Sequence, residues 1–95
     1  MVLLRFAGDA HELLPRWERA VDLWHVRYPE YQLPATVVAE GEGGGLVVVN
    51  VFASDADHLN FGQKMGTPLR EAGLATPELE HLAVKKIAWD VERLA

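Results

Sequence analysis

The chain has 95 residues, of which 49% are hydrophobic and 24% are charged, so it suits a single small globular domain. Its 9 basic and 14 acidic side chains give a net charge of −5, and the only basic cluster is the pair Lys85–Lys86. This distribution excludes the concentrated positive surface that nucleic acids and anionic membranes require. Without cysteine, the chain forms no disulfide, thiolate nucleophile or cysteine-ligated metal site.

The N-terminal segment is typical of a strand. Residues 2–8 are mostly apolar and end in a glycine, but this run is too short for a signal peptide and Asp9 follows at once. No later stretch approaches the length of a membrane helix. We therefore expect a cytoplasmic protein that begins with a strand.

A first helix is predicted next, because apolar side chains recur at steps of three and four residues. Its stripe contains Leu14, Trp17, Val21, Trp24 and Tyr28. Pro15 should lie in the first turn, where its missing N–H costs nothing, and Pro29 and Pro34 should end the helix. The aromatic side chains of this stripe are better explained as core packing than as a ligand-binding cluster.

Two strands joined by a glycine-rich turn follow. Residues 35–40 (ATVVAE) and 46–52 (LVVVNVF) are rich in valine, and the segment GEGGG between them predicts a hairpin because glycine adopts positive φ at little cost. The glycine cluster is not a phosphate loop, since it lacks the Gly-Lys-Ser/Thr ending and no helix follows it.

The second helix is predicted to begin after Ser54, which forms an approximate capping box with Asp57. A break is expected near residues 66–68, where glycine and proline disfavour a helix, and Gly73 is a plausible C-cap. The apolar stripe of this helix is Phe61, Met65, Leu69 and Ala72. A fourth strand is expected after Pro77, in the segment ELEHLAVKKIAWD.

The order of these elements, β-α-β-β-α-β, predicts an α+β domain over residues 1–95. Right-handed crossovers would place the first and third strands in the centre of a four-stranded antiparallel sheet. Both helices would then cover one face of that sheet, which is the ferredoxin-like plan.

Alternation of side chains along the strands indicates which residues face away from the helices. We assign Val47, Val49 and Val51 to the helix side and Asn50 to the open side. Alternation in the other strands places Leu4, Phe6, Leu82 and Val84 against the helices. The predicted open face contains Leu3, Arg5, Thr36, Val38, Glu40, Val48, Asn50, Phe52, His81, Ala83, Lys85 and Ile87. This face is too apolar for water and too polar for a core, so we expect a face-to-face homodimer that encloses a small wet cavity.

The whole chain resembles the dimeric α/β-barrel superfamily, which contains the antibiotic-biosynthesis monooxygenases and the stress-responsive A/B-barrel proteins. The segment GLVVVNVFASDADHLNFGQKMGTPLREAGLATPELE is similar to the second half of small bacterial members, with a hairpin strand, a Ser-initiated helix, a Gly-x-Pro-Leu break and a proline-led last strand. The resemblance implies homodimers whose two sheets close into one barrel, with a pocket in each subunit between sheet and helices or near the barrel.

The monooxygenases and haem-degrading relatives typically use an Asn, a Trp and a His, and this chain departs from that set. Its first strand offers Arg5 but no Asn, its second helix has Phe61 in place of Trp, and His58 is the only His of that helix. These departures argue against haem degradation and against cofactor-free oxygenation of that type.

The histidines give little indication of a metal site. His11, His25, His58 and His81 form neither an H-x-x-x-H nor an H-x-H pair, so solvated or locally bonded imidazoles are the favoured interpretation, and no metal or cofactor is expected.

His81 differs from the other histidines because polar residues share its predicted face, where an imidazole could move protons. His81 and Asn50 are therefore the catalytic candidates, although a structural role is the favoured interpretation of His81. The candidate ligand-binding residues are Arg5, Asn50, Phe52, His81 and Lys85.

Three classes of function remain open. The protein could bind or transform a small apolar molecule without a metal, it could be a non-catalytic dimerisation or interaction domain, or it could be a relative that kept the fold and lost the chemistry. A fold shared with enzymes does not decide between these classes.

Overall fold

A computed structural model describes residues 1–29, 35–52 and 54–85 of the chain. The elements are β1 (Val2–Phe6), α1 (Ala10–Arg27), β2 (Ala35–Glu40), β3 (Leu46–Val51), α2 (Asp55–Lys64), α3 (Gly66–Glu71) and β4 (Glu78–His81). Pro34, Ile87 and Trp89, and with them the end of the predicted fourth strand, lie outside the described residues.

The strands form one antiparallel sheet in the order β2-β3-β1-β4. Val2 is paired with Asn50 on one side and with His81 on the other, and Asn50 is paired in turn with Thr36. The backbone N–H of Leu82 donates to the carbonyl of Met1 over 2.9 Å, which extends the β1–β4 ladder by one bond. This four-stranded α+β architecture is compatible with the ferredoxin-like plan.

Helix α1 begins earlier than predicted, because Asp9 caps it. The Asp9 carboxylate accepts a hydrogen bond from the His11 N–H over 2.9 Å, which satisfies one of the free donors at the helix start. Pro15 therefore lies inside the helix and not in its first turn. The buried stripe contains Leu13, Trp17, Ala20 and Trp24, whereas Leu14 is exposed, so the predicted stripe began one residue too late.

The predicted interruption of the second helix is confirmed. The Ser54 hydroxyl caps α2 by accepting from the Asp57 N–H over 3.1 Å, and α2 ends at Lys64. Pro68 has no N–H to donate to the Lys64 carbonyl, so the regular i→i+4 ladder cannot continue across this point.

Helix α3 ends where Gly73 adopts a φ of 82°. The Leu74 N–H donates to the Leu69 carbonyl over 2.9 Å, and the Gly73 N–H donates to the Arg70 carbonyl over 3.0 Å. This pair of bonds is a Schellman motif, and it confirms Gly73 as the residue that ends the helix.

One core holds the two layers together, because the buried sides of the helices meet the buried side of the sheet. The sheet contributes Val2, Leu4, Phe6, Leu46 and Val48. The helices contribute Leu13, Trp17, Ala20, Trp24, Phe61, Met65 and Leu69. Within the described part of the chain, no helix has both the length and the apolar character that a membrane span needs.

The β2–β3 hairpin gives a first testable prediction, because its glycines differ in what an added methyl group would meet. Gly45 has a φ of +75°, and a Cβ there would lie 2.6 Å from the Phe6 carbonyl oxygen. Gly44 has a φ of +85° but its Cβ would stay 3.4 Å from its nearest neighbour, and a Cβ at Gly43 would meet nothing within 4 Å.

We therefore expect Gly45→Ala to lower the free energy of unfolding most, by about 2–3 kcal/mol, and Gly44→Ala by about 1 kcal/mol from backbone strain alone. Gly43→Ala is the control and should change stability by less than about 0.5 kcal/mol. Urea unfolding of the three variants gives the comparison, and equal losses for Gly43→Ala and Gly45→Ala would contradict the described hairpin.

Candidate functional site

Asn50 lies beneath the helices and not on the open face, so the prediction for this residue is wrong. Its side chain is 1% exposed, and its neighbours across the sheet are Val2 and Thr36. The amide oxygen accepts a hydrogen bond from the Thr36 hydroxyl over 2.8 Å. Among the described residues, the Asn50 amide nitrogen has no hydrogen-bond partner.

The face assignments of β2, of the rest of β3 and of β4 are corrected in the same way, because residues directly opposite each other in a sheet share a face. In β1, by contrast, Leu4 and Phe6 are buried against the helices as predicted. His81 lies opposite the buried Val2, so it is also on the helix side, as is Phe52, which packs against the core. The remaining residues moved to the helix side are Thr36, Val38, Glu40 and Val48. Leu82 and Val84, predicted against the helices, are exposed, and so are Ala83 and Lys85.

The open face is consequently more apolar than predicted. Val37, Val49 and Leu3 form one row across three strands, because Val49 pairs with both of the others. Val47 and Val51 lie on the same side of β3 as Val49 and are also only partly buried. Arg5 is on this face too, where its guanidinium forms an ion pair of 3.1 Å with Glu80.

His81 and His58 form a pair at the edge of the sheet. His81 Nδ1 and His58 Nε2 are 3.1 Å apart, which is a hydrogen bond whose proton can reside on either nitrogen. The Phe52 ring stacks on His58 with a centroid separation of 4.6 Å and an interplanar angle of 6°. This stacking fixes the plane of the His58 ring, and the hydrogen bond then orients His81.

The two imidazoles line a cavity of about 230 Å³ between the α2–α3 pair and strands β1 and β4. Most of its wall is apolar. Phe61 of α2, Met65 directly after α2 and Leu79 of β4 belong to this apolar part. Leu79 reaches the cavity because it lies opposite the buried Leu4 in the β1–β4 ladder. His58, His81, Arg70 and Thr76 are the polar side chains in the wall.

Two glycines of the interrupted helix lie in the wall of this cavity. Gly62 is in its wall, and a Cβ built on Gly62 would meet nothing within 4 Å. Gly66 begins α3, also in the wall, and its Cβ would lie 3.5 Å from Arg70 Nη1. A larger side chain at either position would therefore change the wall of the cavity.

Arg70 is a cation at the cavity wall that no described carboxylate neutralises. Its Nη2 donates to the Thr67 hydroxyl over 3.2 Å. Arg5 and Arg27, by contrast, each form an ion pair with a glutamate, at 3.1 Å and 2.8 Å. Arg70 therefore has guanidinium donors that remain for other acceptors.

The structure separates most of the candidate residues from one another. His81 lines the cavity, and Phe52 supports its partner His58 by stacking. Asn50 is separated from His81 by Val2, while Arg5 is on the opposite face. Lys85 is exposed beyond β4 and is absent from the cavity wall.

Two residues of the site, His58 and Arg70, were missed by the sequence reasoning. A signal for His58 was present, since it precedes Phe61 by three residues and so extends the apolar stripe of the second helix toward its start. Arg70 follows Leu69 of the same stripe, and nothing in the sequence distinguishes it from the other arginines. Among the described residues, no group of three or more His, Asp or Glu side chains could hold a metal ion.

Comparison of the chain with protein-family models, with curated proteins and with solved structures gave no significant match. The resemblance to the dimeric α/β-barrel superfamily therefore depends on the sequence features quoted above.

Proposed function

We propose that this protein is a homodimer that binds a small apolar molecule in the cavity beneath α2 and α3. The cavity itself is the observation that carries this proposal, because its wall is mainly apolar with a few polar groups that can orient a ligand. Its volume of about 230 Å³ decides the size class. It exceeds the ~150 Å³ that holds benzene in an engineered cavity and is below the roughly 300–1,000 Å³ of drug-sized sites.

The His58–His81 pair supports a ligand site more than a purely structural role. The histidines join α2 to the edge strand β4, but both also line the cavity. An imidazole held by a second imidazole can exchange a proton with a bound molecule through its other ring nitrogen. The proposal therefore extends from binding to proton transfer, with His81 as the group nearest to the ligand.

The open face of the sheet supports the homodimer. The row Val37, Val49 and Leu3 would remain in contact with water in a monomer, and Val37 is 64% exposed. A sheet needs a second layer on each apolar face, and a second copy supplies the same apolar row by two-fold symmetry. The superfamily resemblance implies this same face-to-face arrangement.

A non-catalytic dimerisation or interaction domain is the second candidate. The apolar open face favours it, because this face would serve an assembly equally well with an empty cavity. The first candidate predicts that filling the cavity abolishes the binding of a small molecule, whereas the second predicts no such effect.

Filling the cavity from Gly62 tests the proposal. Gly62→Leu would add a large side chain at the cavity wall, where a Cβ meets nothing within 4 Å, so we expect it to abolish binding of monocyclic aromatic fragments in a fluorine NMR screen while the dimer persists. Gly62→Ala is the matched control, since it adds only a methyl group to the same helix position. We expect it to keep measurable binding and to stabilise the fold by about 0.5–1 kcal/mol through helix propensity.

A result in which Gly62→Leu binds the fragments as well as the wild type does would place their site elsewhere. A wild-type protein that binds none of them would favour the interaction domain.

A further inference from the structure

This inference rests on the proposed function and concerns the chemical class of ligand that the cavity binds. Its wall contains a cation, an aromatic ring and an imidazole pair, so each part selects a different group on the ligand. The volume of about 230 Å³ leaves room for one ring with its substituents.

The cation selects an anion. Arg70 bonds the Thr67 hydroxyl, and no described carboxylate forms an ion pair with it. Its guanidinium lies close to Gly66, where Nη1 would be 3.5 Å from an added Cβ, and both residues line the cavity. A guanidinium binds a carboxylate through two parallel N–H donors, and this geometry is the strongest that an arginine offers.

The middle of the wall selects an apolar ring. Phe61 lines the cavity and packs against Phe52 with a centroid separation of 5.3 Å, so its ring is held in place from behind. Met65 and Leu79 contribute a thioether and an aliphatic surface, both of which contact aromatic rings favourably.

The imidazole pair selects a hydroxyl group. His81 Nδ1 is occupied by His58, and the other ring nitrogen of His81 has no described hydrogen-bond partner. When His81 donates its Nδ1 proton to His58, the Nε2 atom of His81 can accept a hydrogen bond from a ligand O–H. A ligand with no polar group would leave both this nitrogen and Arg70 unused, so the apolar molecule of the proposed function is narrowed here to an apolar ring that carries two polar substituents.

We propose that the cavity binds a hydroxy-substituted aromatic carboxylic acid, with its carboxylate on Arg70 and its hydroxyl on His81. In this arrangement His58 is a positioning residue, since it touches His81 and holds the tautomer. The proposal is one of binding and involves no change of oxidation state.

The test uses calorimetry of the 95-residue protein with three probes, 4-hydroxybenzoate, phenol and benzoate. Wild-type protein should bind 4-hydroxybenzoate most tightly. Arg70→Gln keeps an amide that can reach Thr67 but removes the charge. We expect it to weaken 4-hydroxybenzoate and benzoate by roughly tenfold to a hundredfold and to leave phenol unchanged.

His81→Gln should weaken 4-hydroxybenzoate and phenol and leave benzoate unchanged. Arg5→Gln is the matched control, because Arg5 lies on the opposite face, and it should alter none of the three affinities.

The outcomes separate this inference from the proposed function. Phenol bound by wild type but lost in Gly62→Leu, with no effect of Arg70→Gln on any probe, would overturn the carboxylate assignment and leave the cavity as a site for neutral molecules. No binding of 4-hydroxybenzoate by the wild type would also overturn the inference, while the fragment screen with Gly62→Leu would still decide the proposed function. Equal weakening by Arg70→Gln and Arg5→Gln would indicate only a general effect of charge.

Discussion

Val49→Glu should convert the proposed homodimer to a monomer at micromolar concentration. Val49 is in the middle of the open face, with Val37 and Leu3 as its partners on the two adjacent strands. A glutamate there would place a charge in the centre of the proposed interface, where no described cation on this face other than the already paired Arg5 could neutralise it. An unpaired buried charge costs several kcal/mol, which is enough to prevent association.

Sedimentation velocity of wild type and variant measures this effect directly. Val26→Glu is the control, because Val26 is 83% exposed on α1 and the same substitution there changes no predicted interface. Val26→Glu should therefore sediment as the wild type does. Wild-type protein that is already monomeric at micromolar concentration, or a Val49→Glu variant that remains dimeric, would contradict the assignment of the open face.

Asn50→Asp should be among the most destabilising single changes in the chain. The side chain at this position is 1% exposed, and its only described hydrogen bond is the one from Thr36. Aspartate has the shape of asparagine but would carry a charge between Val2 and Thr36, its described neighbours across the sheet, neither of which is a cation. We expect the free energy of unfolding to fall by roughly 3–5 kcal/mol at neutral pH.

The loss should depend on pH, because burial favours the neutral form of a carboxyl group and so raises its pKa in the folded state. The penalty is then small below about pH 4, where the unfolded carboxyl is itself protonated, and grows as the pH rises. Chemical unfolding at acidic and at neutral pH would measure this difference.

Asn50→Leu is the matched control, since leucine has the same branching and no polar atoms. It removes an amide nitrogen that has no described partner, and such a group costs about 1–3 kcal/mol when it is buried. We therefore expect Asn50→Leu to be neutral or to stabilise the fold by about 1 kcal/mol. A large loss of stability in Asn50→Leu, as great as that in Asn50→Asp, would show that the amide makes bonds that the described contacts lack.

The element boundaries followed from local chemistry, and for that reason the sequence predicted them well. Ser54 and Gly73 act within a few residues of themselves, through a capping bond and through positive φ. The hairpin strand β2 has the predicted bounds, because the glycine-rich turn begins with Gly41, directly after its last residue. The Asp9 cap is a local signal too. The predicted helix start was nevertheless too late, because Pro15 was assigned to the first turn.

The two faces of the sheet could not be distinguished by the same reasoning. Strand β3 has valines on both sides, so alternation separates Val49 from Asn50 without indicating which of them is covered. The polar character of Asn50 suggested the open side, yet its hydrogen bond with Thr36 allows it to be buried. Because His81 was placed together with Asn50, one wrong choice of face affected the whole candidate site.

The candidate site depends on contacts between distant segments. His58 and His81 are 23 residues apart in the chain, with the rest of α2, all of α3 and a loop between them. The pairing of β4 with β1 brings His81 to His58. Arg70 stands out because it lies in the cavity wall and, unlike Arg5 and Arg27, forms no ion pair with a described carboxylate, which is a property of the folded molecule. Spacing in the sequence predicts neither relation.

The central claim is that a small molecule occupies the cavity beneath α2 and α3. The most direct measurement is an NMR experiment that records Overhauser contacts between the tightest-binding fragment of the aromatic panel and the methyl groups of the protein. The account predicts contacts to the methyl groups of Met65 and Leu79, which line the cavity. Contacts to Val37 and Val49 on the open face, with none to Met65 and Leu79, would contradict it.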